Sequence, residues 1–230
     1  ICNQWFTCLL VSKDFEEVEK DFRQQCEYLQ ALGSKRIGAS EQSGSIQGKD
    51  VPIFGNNHTM NDEEWDVLCE GLNKLGKIAL EDYGIELCYH HHMGTVVQTA
   101  EETDRLMENT DPQYMHLLFD SGHFQYCGDD PVEVLKKHVN RVNHVHLKDI
   151  RPEVVREVKE KNMSFLDGVR AGAFTVPGDG CVDFSSIAKI LDDAGYEGYL
   201  LVEAEQDPAK ANPLEYAIKA RKYISEVFGL

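Results

Sequence analysis

The chain has 230 residues, with 23 Lys and Arg against 40 Asp and Glu, a formal net charge of −17, and 42% hydrophobic against 27% charged residues. That balance describes a globular protein and excludes a disordered or collagen-like one. The acidic surplus repels phosphate backbones and anionic lipid surfaces, which argues against nucleic-acid and membrane partners, and no apolar run approaches the ~20 residues that span a bilayer.

Strand-like and helix-like segments alternate along the whole length. Residues 2–11 read as a strand, Asp14 to Leu32 as an amphipathic helix closed by Gly33, and Lys35 to Ser40 as a short strand. A polar, glycine-containing loop runs from Glu41 to Met60. Asn61 with Glu64 three residues later is a capping pattern for a long helix that Gly84 ends. Ile85 to His90 is the next strand, and Thr99 with Glu102 caps the helix 100–109. Met115 to Asp120 reads as a strand, Pro131 to Val139 as a helix, and Val142 to Lys148 as a strand. After an excursion over 152–180, a helix runs from Asp183 to Ala194, a strand from Tyr199 to Ala204, and a last helix from Asn212.

Six strands, each followed by a helix and with no Asn-Gly hairpin signal between them, predict parallel strands joined by crossovers. Neither GxGxxG nor GxxxxGK[ST] occurs, so the usual nucleotide-binding reasons for a doubly wound sheet are absent. Polar residues favour a (β/α)₈ TIM barrel instead. Glu41, His90-His91-His92, Asp120-Ser121-Gly122-His123, His146 to Asp149, and Glu203-Ala204-Glu205 all fall at predicted C-terminal strand ends, where barrel active sites form. A single domain over 1–230 is expected. Its length falls somewhat short of the ~250 residues of a complete barrel, and the start at Ile1, without an initiator Met, reads as a cut. The seven cysteines are scattered, odd in number and never spaced CxxC, the pattern of reduced thiols and a cytoplasmic location.

Eight of the nine histidines lie between His90 and His146. His, Asp and Glu without Cys suit a divalent ion such as Mn²⁺, Co²⁺ or Mg²⁺, with Zn²⁺ also compatible. One ligand from each of four strand ends gives His90, Asp120, His146 and Glu203. Alternation sends His90 and His92 one way and His91 the other, making His91 structural or exposed. His144 shares the His146 face one layer deeper, as a core residue or a partner to the ligands. Asp120 alone is equally a helix cap, and His123 equally a surface-loop histidine. Lys148 shares a face with His146, as proton donor or counter-ion, and one of Glu203 and Glu205 is alternatively its ion-pair partner. His116 and His138 are assigned to packing and surface.

At these residues the chain resembles the xylose-isomerase-like sugar isomerase and epimerase barrels. HVHLKD (144–149), FDSGH (119–123) and LVEAEQDP (201–208) look like the last three ligand strands of that family, and YHHHMGTVVQT (89–99) places His90 where most members carry Glu. Together with SEQSGSIQG (40–48), these strings are similar to the members that dehydrate a cyclic polyol ketone. The resemblance implies a xylose-isomerase-like barrel lacking about two N-terminal βα units in this chain. It implies a metal-dependent hydro-lyase that removes water from 2-keto-myo-inositol (scyllo-inosose) to give a trihydroxycyclohexane-1,2-dione. Mn²⁺ or Co²⁺ is the favoured ion, the partner a small polyol ketone, and homo-oligomerisation is left open. Acid and base are sought among Glu41, His123, Lys148 and Glu205, with His92, His123 and Lys148 contacting substrate. The alternative is a keto-sugar isomerase or epimerase using the same ion.

Overall fold

The computed structural model describes residues 3–230. Six strands form one parallel sheet in the order β1 (Trp5–Cys8), β2 (Arg36–Glu41), β3 (Glu86–His90), β4 (Met115–Asp120), β5 (Val142–Leu147) and β8 (Leu200–Val202). Crossover helices α1 (Phe15–Ala31), α2 (Asp62–Tyr83), α3 (Ala100–Glu108), α5 (Pro131–His138), α8 (Phe184–Asp193) and α9 (Pro213–Phe228) accompany them. The first and last strands are shorter than their apolar runs suggest, and the start of the predicted 2–11 strand lies outside the described residues.

Helix boundaries follow the local chemistry. Asn61 and Glu64 form a reciprocal capping box on α2, and Gly84 ends it in the left-handed conformation. Thr99 and Glu102 make the same box on α3, and Asp183 and Asn212 cap α8 and α9.

Strand parity decides which side chains reach the axis. Gly38, His90, Leu118, His144, His146 and Leu201 are in phase through the register and line one cavity. The opposite phase, including Ile37, Ala39, Leu87, Tyr89, Leu117, Phe119, Val145 and Leu147, enters the main core shared with Phe22, Leu68, Leu72, Leu75 and Ile187 of the helices.

Two features were concealed in the sequence, one directly after Asp120 and one in the 152–180 excursion. The segment after Asp120 is a helix, α4 (Ser121–Cys127), and the excursion contains α6 (Pro152–Glu160) and α7 (Phe165–Ala171). These two helices sit between the very short strands β6 (Asp149–Ile150) and β7 (Phe174–Thr175), which pair antiparallel. Two-residue strands separated by two helices carry no turn signal. This unit has its own core, in which Phe165, Phe174, Tyr126 and Val158 pack with Ile46, Ile53 and Met93, so it roofs the strand ends together with the 41–60 loop.

No helix among the described residues is long and apolar enough to cross a membrane. Six cysteines, from Cys8 to Cys181, are free thiols.

The closest backbone approach lies at Gly76 of α2, where a Cβ would stand 2.1 Å from the Tyr114 carbonyl oxygen. Gly76→Ala should therefore cost about 1–3 kcal/mol by overpacking, despite alanine's better helix propensity. A lowered urea midpoint with an unchanged slope checks this, and an unchanged or raised midpoint would contradict the close contact.

Candidate metal centre and active site

Four side chains from four strand ends converge. His90 ends β3, Asp120 ends β4, His146 lies in β5 and Glu203 follows β8. One ligating atom from each lies within 4.8 Å of the others. His90 Nε2 and His146 Nδ1 each stand 3.5 Å from Asp120 Oδ2, and His146 Nδ1 is 3.1 Å from Glu203 Oε2. Asp120 serves both readings of its position: Oδ1 caps α4 by accepting the Gly122 and His123 N–H groups, while Oδ2 faces the cluster.

Asp120 Oδ2, His146 Nδ1 and Glu203 Oε2 are buried and face one another; the two carboxylate oxygens also face the Lys148 ammonium, and His146 Nδ1 has no hydrogen-bond partner. Leaving one such atom unsatisfied costs about 1–3 kcal/mol, and more for a charged group. Three of them aimed at one point suit a cation. Burial pulls the His90 imidazole down to about 4, against the opposing Asp120 carboxylate, which keeps it neutral and ligand-competent at neutral pH.

Lys148 lies at the centre of a second layer. It is 1% exposed, and its Nζ stands 2.9 Å from Glu203 Oε2, 3.0 Å from Glu205 Oε2, 3.3 Å from Asp120 Oδ2 and 3.0 Å from His123 Nε2. Burial alone would lower its pKa, but Asp120, Glu205 and Glu203 outweigh this and raise it, so the ammonium stays charged. The same contacts hold Glu203 and Glu205 below the usual carboxylate range in spite of burial.

The Lys148 backbone is fixed by Ser121, whose Oγ accepts from Lys148 N and donates to Lys148 O. The Lys148 stem crosses Gly122, where a Cβ would lie 2.5 Å from Lys148 Cγ. Next door, the buried Asp149 carboxylate accepts four backbone N–H groups, from Ile150, Gly178, Gly180 and Val182, and so pins the 178–182 segment against the site.

The cavity above these groups measures about 540 Å³ and is lined by His90, His92, His144, His146, Glu203 and Glu205. Trp5, Phe165 and Leu166 add apolar walls that sequence reasoning missed. The Trp5 ring stands edge-on to His90 at 5.4 Å between centroids, and Phe165 lies 5.3 Å from His92. Their strand-edge and excursion positions carried no periodic signal.

Most expected site residues come together. His92, His123, Lys148 and Glu205 join the four ligand candidates, and both Glu203 and Glu205, not one of them, pair with Lys148. Glu41 does not join. Its carboxylate is fully buried, accepts the N–H groups of Leu10 and Ser43, and lies in the helix-facing phase of β2, so it anchors loops outside the cavity. His91 is buried, with its ring 3.5 Å from Phe124 and its Nε2 accepting from Asp120 N. His138 is not a surface residue; it is buried and bonded to Asp104. His144 is a buried ring beneath His146 with neither nitrogen hydrogen-bonded.

Residues 7–227 match the xylose isomerase-like TIM barrel model, and the chain belongs to that family. Among solved structures, the IOLI protein with a bound zinc atom superposes at a TM-score of 0.72 with 19% identity, covering 99% of this chain and 76% of that one. The L-ribulose 3-epimerase structure gives 0.70 at 15% identity, over 99% and 74%. Likeness at this level speaks for the fold alone.

Sequence relatives go further. The chain is 63% identical over 227 residues to the inosose dehydratase of Clostridium perfringens, covering 98% of this chain and 76% of that protein. It is 56% identical over 230 residues to the inosose dehydratase of Clostridium beijerinckii, over 100% and 77%. The chain is accordingly an enzyme of the hydro-lyase class, a dehydratase.

Gly122→Ala should displace the Lys148 stem. A misplacement of about 1 Å at a reacting group costs on the order of 100-fold in rate. Turnover reduced to that degree, with a melting temperature lowered by overpacking, is the expected result. Near-normal turnover would show that Lys148 has room to move.

Proposed function

We propose that this chain dehydrates 2-keto-myo-inositol to a trihydroxycyclohexane-1,2-dione, with one divalent ion held by His90, Asp120, His146 and Glu203. The observation that carries the reading is the meeting of those four ligand candidates with a buried, charged lysine beneath a cavity of sugar size. The names of the relatives supply the substrate. A bound Mn²⁺ or Co²⁺ would supply positive charge that polarises the ketone oxygen and favours loss of the neighbouring proton.

The remaining chemistry falls to side chains. Elimination requires a base for the proton α to the ketone and an acid for the hydroxyl on the next carbon. Glu205 lines the cavity, carries a negative charge and touches Lys148, which makes it the base. The Lys148 ammonium donates a proton to the departing hydroxyl, which leaves as water. The resulting hydroxy-enone, the enol form of the dione, tautomerises to it, so a proton and a hydroxide are lost from the substrate as one water, and return of the proton from Glu205 to Lys148, 3.0 Å away, resets the pair. His123, whose Nε2 lies 3.0 Å from Lys148 Nζ, orients the ammonium, and His92 contacts a substrate hydroxyl at the rim. Trp5 and Phe165 cover the apolar faces of the ring and exclude water.

Scyllo-inosose mixed with the metal-loaded protein should develop the ultraviolet absorbance of the dione. Unchanged scyllo-inosose beside turnover of a ketose epimerase substrate would replace this reading with the isomerase one. His146→Ala should abolish tight divalent binding, and retained stoichiometry would refute the ligand set. In D₂O, Lys148→Gln should still exchange the α-proton of the substrate without forming dione, whereas Glu205→Gln should lose both. Loss of exchange in the lysine variant alone would reverse the acid and base assignments.

A further inference from the structure

Beside the four-ligand cluster lies a second set of metal-type donors. The ligating atoms of His92, His123 and Glu205 also fall within 4.8 Å of one another. His123 is fully buried and His92 nearly so. His92 Nδ1 donates to the Met93 carbonyl at 2.8 Å, which leaves the Nε2 lone pair facing Glu205 Oε1 at 3.8 Å. His123 Nε2 lies 3.6 Å from Glu205 Oε2. Two imidazole nitrogens and a carboxylate oxygen form a good donor set for a first-row divalent ion, and binding at His123 Nε2 would move the ring proton to Nδ1 and give up the long, 3.4 Å contact from Met93 N–H. Lys148 Nζ is seated against it, 3.0 Å from His123 Nε2 and 3.0 Å from Glu205 Oε2.

We propose that His92, His123 and Glu205 form a second, latent divalent-cation site that the Lys148 ammonium keeps closed, so that the enzyme carries one metal ion and one tethered cation. The inference rests on the reading that His90, Asp120, His146 and Glu203 hold the first ion.

Charge explains the exclusivity. The three carboxylates of Asp120, Glu203 and Glu205, all in contact with Lys148, leave two negative charges after the ammonium is counted. One dication in the first site balances them. A second dication would sit close to both the ammonium and the first ion in a buried setting, where like-charge repulsion is weakly screened.

Geometry makes the closure firm. The lysine cannot swing aside readily, because Ser121 holds its backbone on both the N–H and the C=O, and its stem fills the space over Gly122. Its Nζ also stands 5.0 Å from the Phe174 ring centroid. An ammonium in this position differs from a metal ion in one chemically useful way: it carries protons that it can give to a departing hydroxyl.

Lys148→Ala removes the charge and the bulk together. After loading with Mn²⁺ and gel filtration, the wild type should retain one ion per chain and the variant two. The variant's Mn²⁺ electron paramagnetic resonance signal should be broadened by coupling between neighbouring ions. Adding His92→Ala to the variant should return the count to one, and Lys148→Arg, which keeps the charge, should also hold one. Should Lys148→Ala not fold, Lys148→Gln serves the same test with the same expected count of two. One ion in both the wild type and the lysine variants overturns the proposal alone, as do two ions in the wild type. A wild type that retains none overturns the first-site reading and the proposal with it.

Discussion

The buried ammonium of Lys148 is the interaction on which the rest of the site depends. A lone charge at 1% exposure would be expelled or neutralised. This one survives because three carboxylates and an imidazole from two distant parts of the chain, 120–123 and 203–205, meet it within 3.3 Å. The dependence runs in both directions. Asp120, Glu203 and Glu205 are themselves buried to different degrees, and with neither Lys148 nor a metal ion beside them their mutual repulsion would push protons onto them. The lysine thus keeps the carboxylates ionised, and the carboxylates keep the lysine charged.

The scaffold makes that meeting achievable without strain. In a parallel sheet every strand end faces the same way, so single residues on β3, β4, β5 and after β8 are aimed at one region by register alone. The roof is built separately. Asp149, one residue after Lys148, turns the chain out of the sheet and binds the 178–182 backbone. Phe165 and Phe174 of the unit between those points pack above the histidines. Residues 148 and 149 therefore divide two tasks, one side chain pointing into the chemistry and the next fastening the cover over it.

Much of this was legible in the sequence because period-two alternation is a strict rule. His144, His146 and Lys148 share parity, and so do Glu203 and Glu205, which is why the residue types alone pointed inward. Glu41 shows what happens when a strand-end signal is read without its parity. It shares a phase with Ile37 and Ala39, which face the helices, while Gly38 of the opposite phase lines the cavity. The roof was hidden for another reason. Strands of two residues have no periodicity to read, and the aromatic residues Phe165 and Phe174 look like ordinary core positions until their tertiary neighbours are known. Trp5 lies on an edge strand, where an exposed aromatic ring has no distinguishing pattern. His138 read as surface because its partner Asp104 comes from a different helix.

His90 bears on the same balance of charge. Most barrels of this kind are expected from the sequence resemblance to carry a carboxylate at that strand end, and here a neutral imidazole takes its place. With a carboxylate there, the site would hold four negative groups and, after Lys148, a residual charge of three. A single dication would then leave one negative charge buried against a neutral substrate, and removing a proton from that substrate would place a second negative charge beside it. The imidazole and the ammonium together bring the residual charge to two, which one dication would cancel. With the proposed ion bound, the first negative charge to develop in the cavity would be the one that the reaction itself creates, beside a cation and the proposed proton donor with no uncompensated carboxylate opposing it.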